Sequence, residues 1–272
     1  MKKQIILLLA VAFTFLSFSP DKPAYILYNA DGKEVKYSKM LKSLEEADVI
    51  FFGELHTDPI AHWLQLELTK ELFNQKREKL VLGAEMFEAD KQLILNEYLE
   101  GLYATAKFEA EMRLWKNYET DYKPVVEFAK THRIPFIATN IPRRYASMVH
   151  KGGFEALDKL ADEAKAYIAP LPIRYDPELK CYKDMLDMMG AAKAPAVHKA
   201  PEMEEAPDGM KKAPDVMKEA PKGMPAGHGK SMPSFSMANL PKAQAAKDAT
   251  MAHFILENWS EGQCLFHFNG SY

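Results

Sequence analysis

Short apolar runs, each followed by a longer stretch with helical spacing, recur through most of the chain, and this alternation restricts its fold more than any other feature. Asp48-Val49-Ile50-Phe51-Phe52, closed by Gly53, reads as a buried strand. Leu80-Val81-Leu82-Gly83-Ala84 is a second strand and runs straight into Glu85-Met86-Phe87. Ile134-Pro135-Phe136-Ile137-Ala138 is a third, and Gln263-Cys264-Leu265-Phe266-His267-Phe268 is the last. Between the first two, Asp58 suits an N-cap and Pro59 the first helical position, and Ile60, Trp63, Leu64, Leu68, Leu72 and Phe73 recur at helical spacing. Further helices are expected from about 89 to 101, over 106–116 and 122–131, after Pro142, over 176–189 and over 240–259. Strands alternating with helices predict an α/β fold with a mostly parallel central sheet, flanked by helices on both faces. Ala24 to Asn29 and Glu34 to Tyr37 add an N-terminal hairpin with Asp31-Gly32 at the turn.

Two segments stand outside this pattern. Met1-Lys2-Lys3 precedes an apolar run from Ile5 to Phe18. At about 14 residues the run is too short to cross a bilayer and matches a secretory h-region, so residues 1–20 are expected to be a signal peptide. No cysteine lies near residue 20, which disfavours a lipoprotein and predicts a soluble, exported protein of the periplasm or cell envelope. The second segment, 191–236, is a repeat. Met203, Met210, Met217 and Met224 are seven apart, with Ala206-Pro207, Ala213-Pro214 and Ala220-Pro221 in the same frame. A proline in every heptad rules out the continuous helix that this period would otherwise suggest, leaving a disordered insertion. Its methionines, with His198 and His228, are soft donors that could take Cu(I) or haem iron, but an unconstrained expansion explains the repeat more simply. Nine of the 15 methionines lie from Met185 to Met237, so the methionine excess says little about the core. What remains, 21–190 and 237–272, is a single domain. The net charge of -3 excludes a typical nucleic-acid binder, and the two cysteines, Cys181 and Cys264, cannot form a disulfide scaffold.

In parallel sheets, ligands sit beyond the carboxyl ends of the strands. Gly53-Glu54-Leu55-His56 follows the first strand, Glu85 the second, Thr139-Asn140 and then Arg143-Arg144-Tyr145 the third, and Asn269-Gly270-Ser271-Tyr272 the last. A carboxylate buried there costs several kcal/mol unless paired or bound to a cation. Glu54, His56 and Glu85 together could bind a divalent metal or do acid–base chemistry. The blander readings are a helix cap for Glu54 and a buried ion pair with Arg143 or Arg144 for Glu85. His62 is expected on the solvated side of its helix.

The runs Val49-Ile50-Phe51-Phe52-Gly53-Glu54-Leu55-His56-Thr57-Asp58-Pro59, Leu82-Gly83-Ala84-Glu85-Met86-Phe87-Glu88, Asn140-Ile141-Pro142-Arg143-Arg144 and Lys247-Asp248-Ala249-Thr250-Met251-Ala252 resemble the ChaN-like haem-binding uptake proteins of the Tiki superfamily. The likeness covers about residues 40–190 and 238–272. It implies an α/β fold of the Tiki/erythromycin esterase type and a part in haem or iron acquisition. It also implies haem as cofactor, stacked face to face across a homodimer, with a tyrosine on each iron and a histidine on a propionate, and supply from an outer-membrane haem receptor system. Tyr182 is the first choice for that tyrosine, Tyr145 the second and Tyr175 the third, with Arg143 and Arg144 suited to propionates. A core stripe of Tyr182 and Met185 is the plain alternative. Enzyme members of the superfamily use Gly-x-x-His twice as metal ligands, which implies as an alternative a metal-dependent hydrolase built on Glu54, His56 and Glu85. The first copy is Gly53-Glu54-Leu55-His56. Gly270-Ser271-Tyr272 begins a second whose histidine would be the next residue, so the sequence is expected to be truncated at its C-terminus.

Overall fold

The computed structural model describes residues 23–191 and 237–271. The signal-peptide reading of 1–20, all but the first residue of the repeat, and Tyr272 lie outside the described residues. A small antiparallel hairpin comes first, with β1 (Leu27–Tyr28) paired to β2 (Glu34–Val35). Its strands are shorter than expected because Asn29 closes the loop. The Asn29 side-chain oxygen accepts from the amides of Asp31 and Lys33, and Gly32 takes a φ of 71°.

The main sheet has four parallel strands in the order β3-β6-β4-β5: β3 (Val49–Glu54), β6 (Cys264–Gly270), β4 (Leu80–Glu88) and β5 (Phe136–Asn140). The last strand is thus inserted between the first two. β3 and β4 run further than their apolar cores, carrying Glu54 and Glu85 inside the strands instead of just after them. β4 is buried along its whole length, and its pairing to β5 slips between Ala84 and Glu88.

Helices cover both faces. On one lie α1 (Tyr37–Leu44), α2 (Pro59–Lys76), α3 (Gln92–Leu99), α4 (Thr105–Glu111) and α5 (Lys123–His132). Leu68, Leu72, Leu95, Phe108 and Val126 from these helices pack on Ile50, Leu82, Phe136, Phe266 and Phe268 of the sheet. Asp58 caps α2, its Oδ1 accepting from Ile60 at 2.9 Å and Ala61 at 3.3 Å, and Pro59 follows it. On the other face lie α6 (Arg143–Gly152), α7 (Asp162–Lys165), α8 (Lys180–Ala191) and α9 (Leu240–Asn258). Ile255 of α9 meets Val81 and Leu265 of the sheet, and Ala243 and Ala246 meet Ile141 and Val149. In sequence the repeat falls between two helices of one face, and the α/β architecture expected from the strand–helix alternation is present.

Candidate functional site

Because β6 sits between β3 and β4, the carboxyl edge of the sheet sets Glu54, Gly270 and Glu85 on three adjacent strands. Gly270 pairs in register with Glu54 and donates its amide to Glu85 Oε2 at 2.9 Å. The Ser271 amide donates to the Glu54 carbonyl at 2.9 Å. Gly270 also makes room for His56. A Cβ there would stand 2.8 Å from His56 Cε1 and 3.0 Å from Nε2.

Glu54 is 2% exposed and is the hub of a buried polar network. Tyr122 and His56 Nδ1 donate to its Oε1, the latter at 2.9 Å, and Gln65 donates to its Oε2. Three donors on one carboxylate offset the cost of its burial. Since an ionised Oε1 can only accept, His56 Nδ1 is the donor in this contact, and its Nε2 lies on the side of Gly270. Burial, and then the Glu54 charge, push the Tyr122 phenol upward. Tyr122 ends a single π-helical turn (Tyr118–Tyr122) whose preceding residues also reach His56. Asn117 donates to the His56 carbonyl at 2.7 Å, and the Trp115 ring meets the imidazole edge-on at 4.7 Å.

His62 corrects the sequence reading. It is 5% exposed, with Nε2 3.1 Å from the His56 carbonyl and Nδ1 3.0 Å from Gln65 Oε1. The π-turn lies over this side of α2, so the imidazole is buried against the Tyr122 ring instead of facing water. The ion pair considered for Glu85 is also absent. Arg143 pairs with Glu88, which takes Arg113 as well at 3.1 Å, and Arg144 pairs with Asp90. Glu85 keeps the Gly270 amide, while Asn140 donates to the Glu85 carbonyl at 2.9 Å.

These residues open onto a cleft of about 640 Å³, a volume ordinary for a small-molecule site. His56, Glu85, Glu88 and Asn140 stand at its base, Leu114, Trp115 and Ile141 give it apolar wall, and Lys116, Arg143 and Lys247 give it positive charge. A larger cleft of about 940 Å³, beside Pro135 and Phe136, opens at the amino end of β5 and is lined by none of the candidate site residues.

The metal reading of Glu54, His56 and Glu85 gains no support. Among the described residues, no group of three or more His, Cys, Asp or Glu side chains is arranged to hold a metal ion. Both Glu54 oxygens accept from protein donors, and one Glu85 oxygen accepts from a backbone amide.

None of the candidate tyrosines is among the residues that line the cleft. Tyr182 on α8 is 8% exposed and donates to Asp248 Oδ2 at 2.9 Å, while Gln244 donates to Oδ1 at 2.8 Å. Burial, then the nearby Asp248 charge, raise the Tyr182 phenol, and burial raises the Asp248 carboxyl. Asp248 follows Lys247, which lines the cleft, and feels the charge of Glu85 across it. Tyr175 stacks obliquely on Tyr182 at 5.4 Å. Tyr145 on α6 is 8% exposed, its hydroxyl accepting from Arg144 at 3.1 Å with the guanidinium 4.3 Å above its ring. Of the residues that sequence reasoning singled out, His56, Glu85 and Arg143 line the cleft and Glu54 is hydrogen-bonded to His56, whereas Arg144, Tyr145, Tyr175 and Tyr182 are not part of its lining. That reasoning missed Gln65, Trp115, Asn117 and Tyr122, for which no local pattern exists, whereas Lys247 and Asp248 stood in a quoted motif without a role.

Among curated proteins, none matches the chain. Among solved structures, one described as cofacial heme binding to ChaN of Campylobacter jejuni is similar, with a TM-score of 0.57 and 14% sequence identity over 91% of this chain and 80% of that one. That likeness supports the fold. A family model described as haem-binding uptake, Tiki superfamily, ChaN matches residues 40–272, which is most of the chain and includes every strand of the main sheet. The chain therefore belongs to the ChaN family of haem-binding uptake proteins in the Tiki superfamily.

Proposed function

We propose that this is an exported haem-binding protein of a haem and iron uptake system, holding haem through a tyrosine at a homodimer interface. Membership of the haem-binding uptake family carries this reading. The similar ChaN structure is described as binding heme cofacially, which favours paired haems between two copies. Haem is a flat apolar ring with two carboxylates, and a cleft that joins Leu114, Trp115 and Ile141 to Lys116, Arg143 and Lys247 fits that chemistry. Bound ferric haem offers an iron that a phenolate can ligate. Tyr182 is the first candidate. Its hydroxyl donates to Asp248, the residue next to the cleft-lining Lys247. Tyr145 is second. An outer-membrane receptor system is the expected source of the haem, and export follows from the signal-peptide reading of 1–20.

Titrating the purified mature protein with haemin is expected to give a Soret band and, by sedimentation, a shift from monomer to dimer. Tyr182→Phe is expected to abolish or strongly shift the band. Bands unchanged in Tyr182→Phe, Tyr145→Phe and Tyr175→Phe would overturn tyrosine ligation, and absence of any band in the wild type would overturn the haem reading.

A further inference from the structure

The three cations of the cleft are not equivalent. Arg143 is committed to Glu88, a buried carboxylate that also holds Arg113. Lys116 and Lys247 are uncommitted. The lysine ion pairs among the described residues belong to Lys70, Lys123, Lys165, Lys180 and Lys183. The field of Lys247 reaches Asp248, but that carboxylate already accepts from Tyr182 and Gln244. Two ammonium groups thus face one cleft without counter-charges of their own. The same cleft is lined by Trp115, whose ring meets His56 edge-on at 4.7 Å and Tyr122 edge-on at 6.2 Å.

We infer that Lys116 and Lys247 receive the carboxylates of the ligand, so that the cleft selects a flat ring bearing two free carboxylates over the same ring without them. The inference rests on the haem reading and narrows it. Ammonium–carboxylate pairs in a partly shielded cleft are stronger than those on open surface, and they are screened by salt. A neutral ester of the same ring keeps the apolar contacts and loses these pairs.

The test is a titration of the full mature chain with haemin and with haemin dimethyl ester. It follows both the Soret band and tryptophan quenching, in wild type, Lys116→Ala and Lys247→Ala, at low and high salt. Haemin is expected to bind about ten-fold tighter than its ester, with an advantage that shrinks as salt rises. Each lysine variant is expected to weaken haemin several-fold and leave the ester unaffected. Lys116 is exposed and Lys247 half-buried, so both variants are expected to fold, which thermal melting checks. Equal affinity for acid and ester, or variants that weaken both ligands alike, would overturn this inference and leave the haem reading standing. Binding of neither ligand would overturn both.

Discussion

A methyl group on residue 270 would lie 2.8 Å from Cε1 of His56, closer than carbon atoms tolerate, so Gly270→Ala must push the imidazole away from Glu54. Overpacking of this kind costs about 1–3 kcal/mol, and thermal denaturation should show it together with a displaced His56 ring signal by NMR. His267, 1% exposed beside Thr139 Oγ1 at 2.7 Å, gives a pH prediction. Burial lowers its pKa from 6.5 to about 4. The unfolded chain then binds a proton that the native state refuses, so stability falls as pH drops through the window from 6.5 to about 4. The loss is up to about 3 kcal/mol and saturates below that window. His267→Gln should flatten this part of the profile in denaturant melts taken at successive pH values. At this scale, Glu54 and Glu85 were legible because apolar strands run straight into them. Tyr122 was not, since it meets Glu54 across 68 positions of sequence and nothing local announces the contact. His62 was misplaced because its helix looks polar on that side until the π-turn covers it.

α2 shows what an element's own chemistry decides. Asp58 accepts from two first-turn amides, and Pro59 supplies the preset φ, so the helix start was readable from two letters. Asp58→Ala should destabilise the protein by about 1 kcal/mol, measurable as a lower denaturation midpoint with no change in secondary-structure content. The same clarity holds where Gly101, at a φ of 79°, stops the chain after α3. Strand ends were less legible. Glu54, Glu85 and Glu88 look like loop residues by composition, yet β3 and β4 continue through them because partners across the strands satisfy their backbones. The insertion of β6 between β3 and β4 is a matter of pairing that no local signal encodes. It is nevertheless what brings Gly270 between the two carboxylates.

On the scale of the whole molecule, the sheet face bearing α6, α8 and α9 is assembled from both sides of the repeat, and the Tyr182–Asp248 hydrogen bond joins its two halves. Replacing residues 192–236 by a short Gly/Ser linker should therefore leave the fold and haem affinity unchanged. Loss of haem binding in that variant would place a ligand within the repeat. The α/β class was legible from alternation alone, and four short motifs pointed to the family whose model spans residues 40–272. The pairing of Tyr182 with Asp248 was not legible, because it depends on how α8 packs against α9. The central claim is that the mature protein binds haem through a phenolate. The most direct measurement is a haemin titration of wild type and Tyr182→Phe, with the absorption and electron paramagnetic resonance spectra of the iron recorded at saturation. A Soret band with a high-spin ferric phenolate signature in wild type, lost in Tyr182→Phe, is the predicted result. A histidine-type spectrum, or one identical in the two proteins, would contradict it.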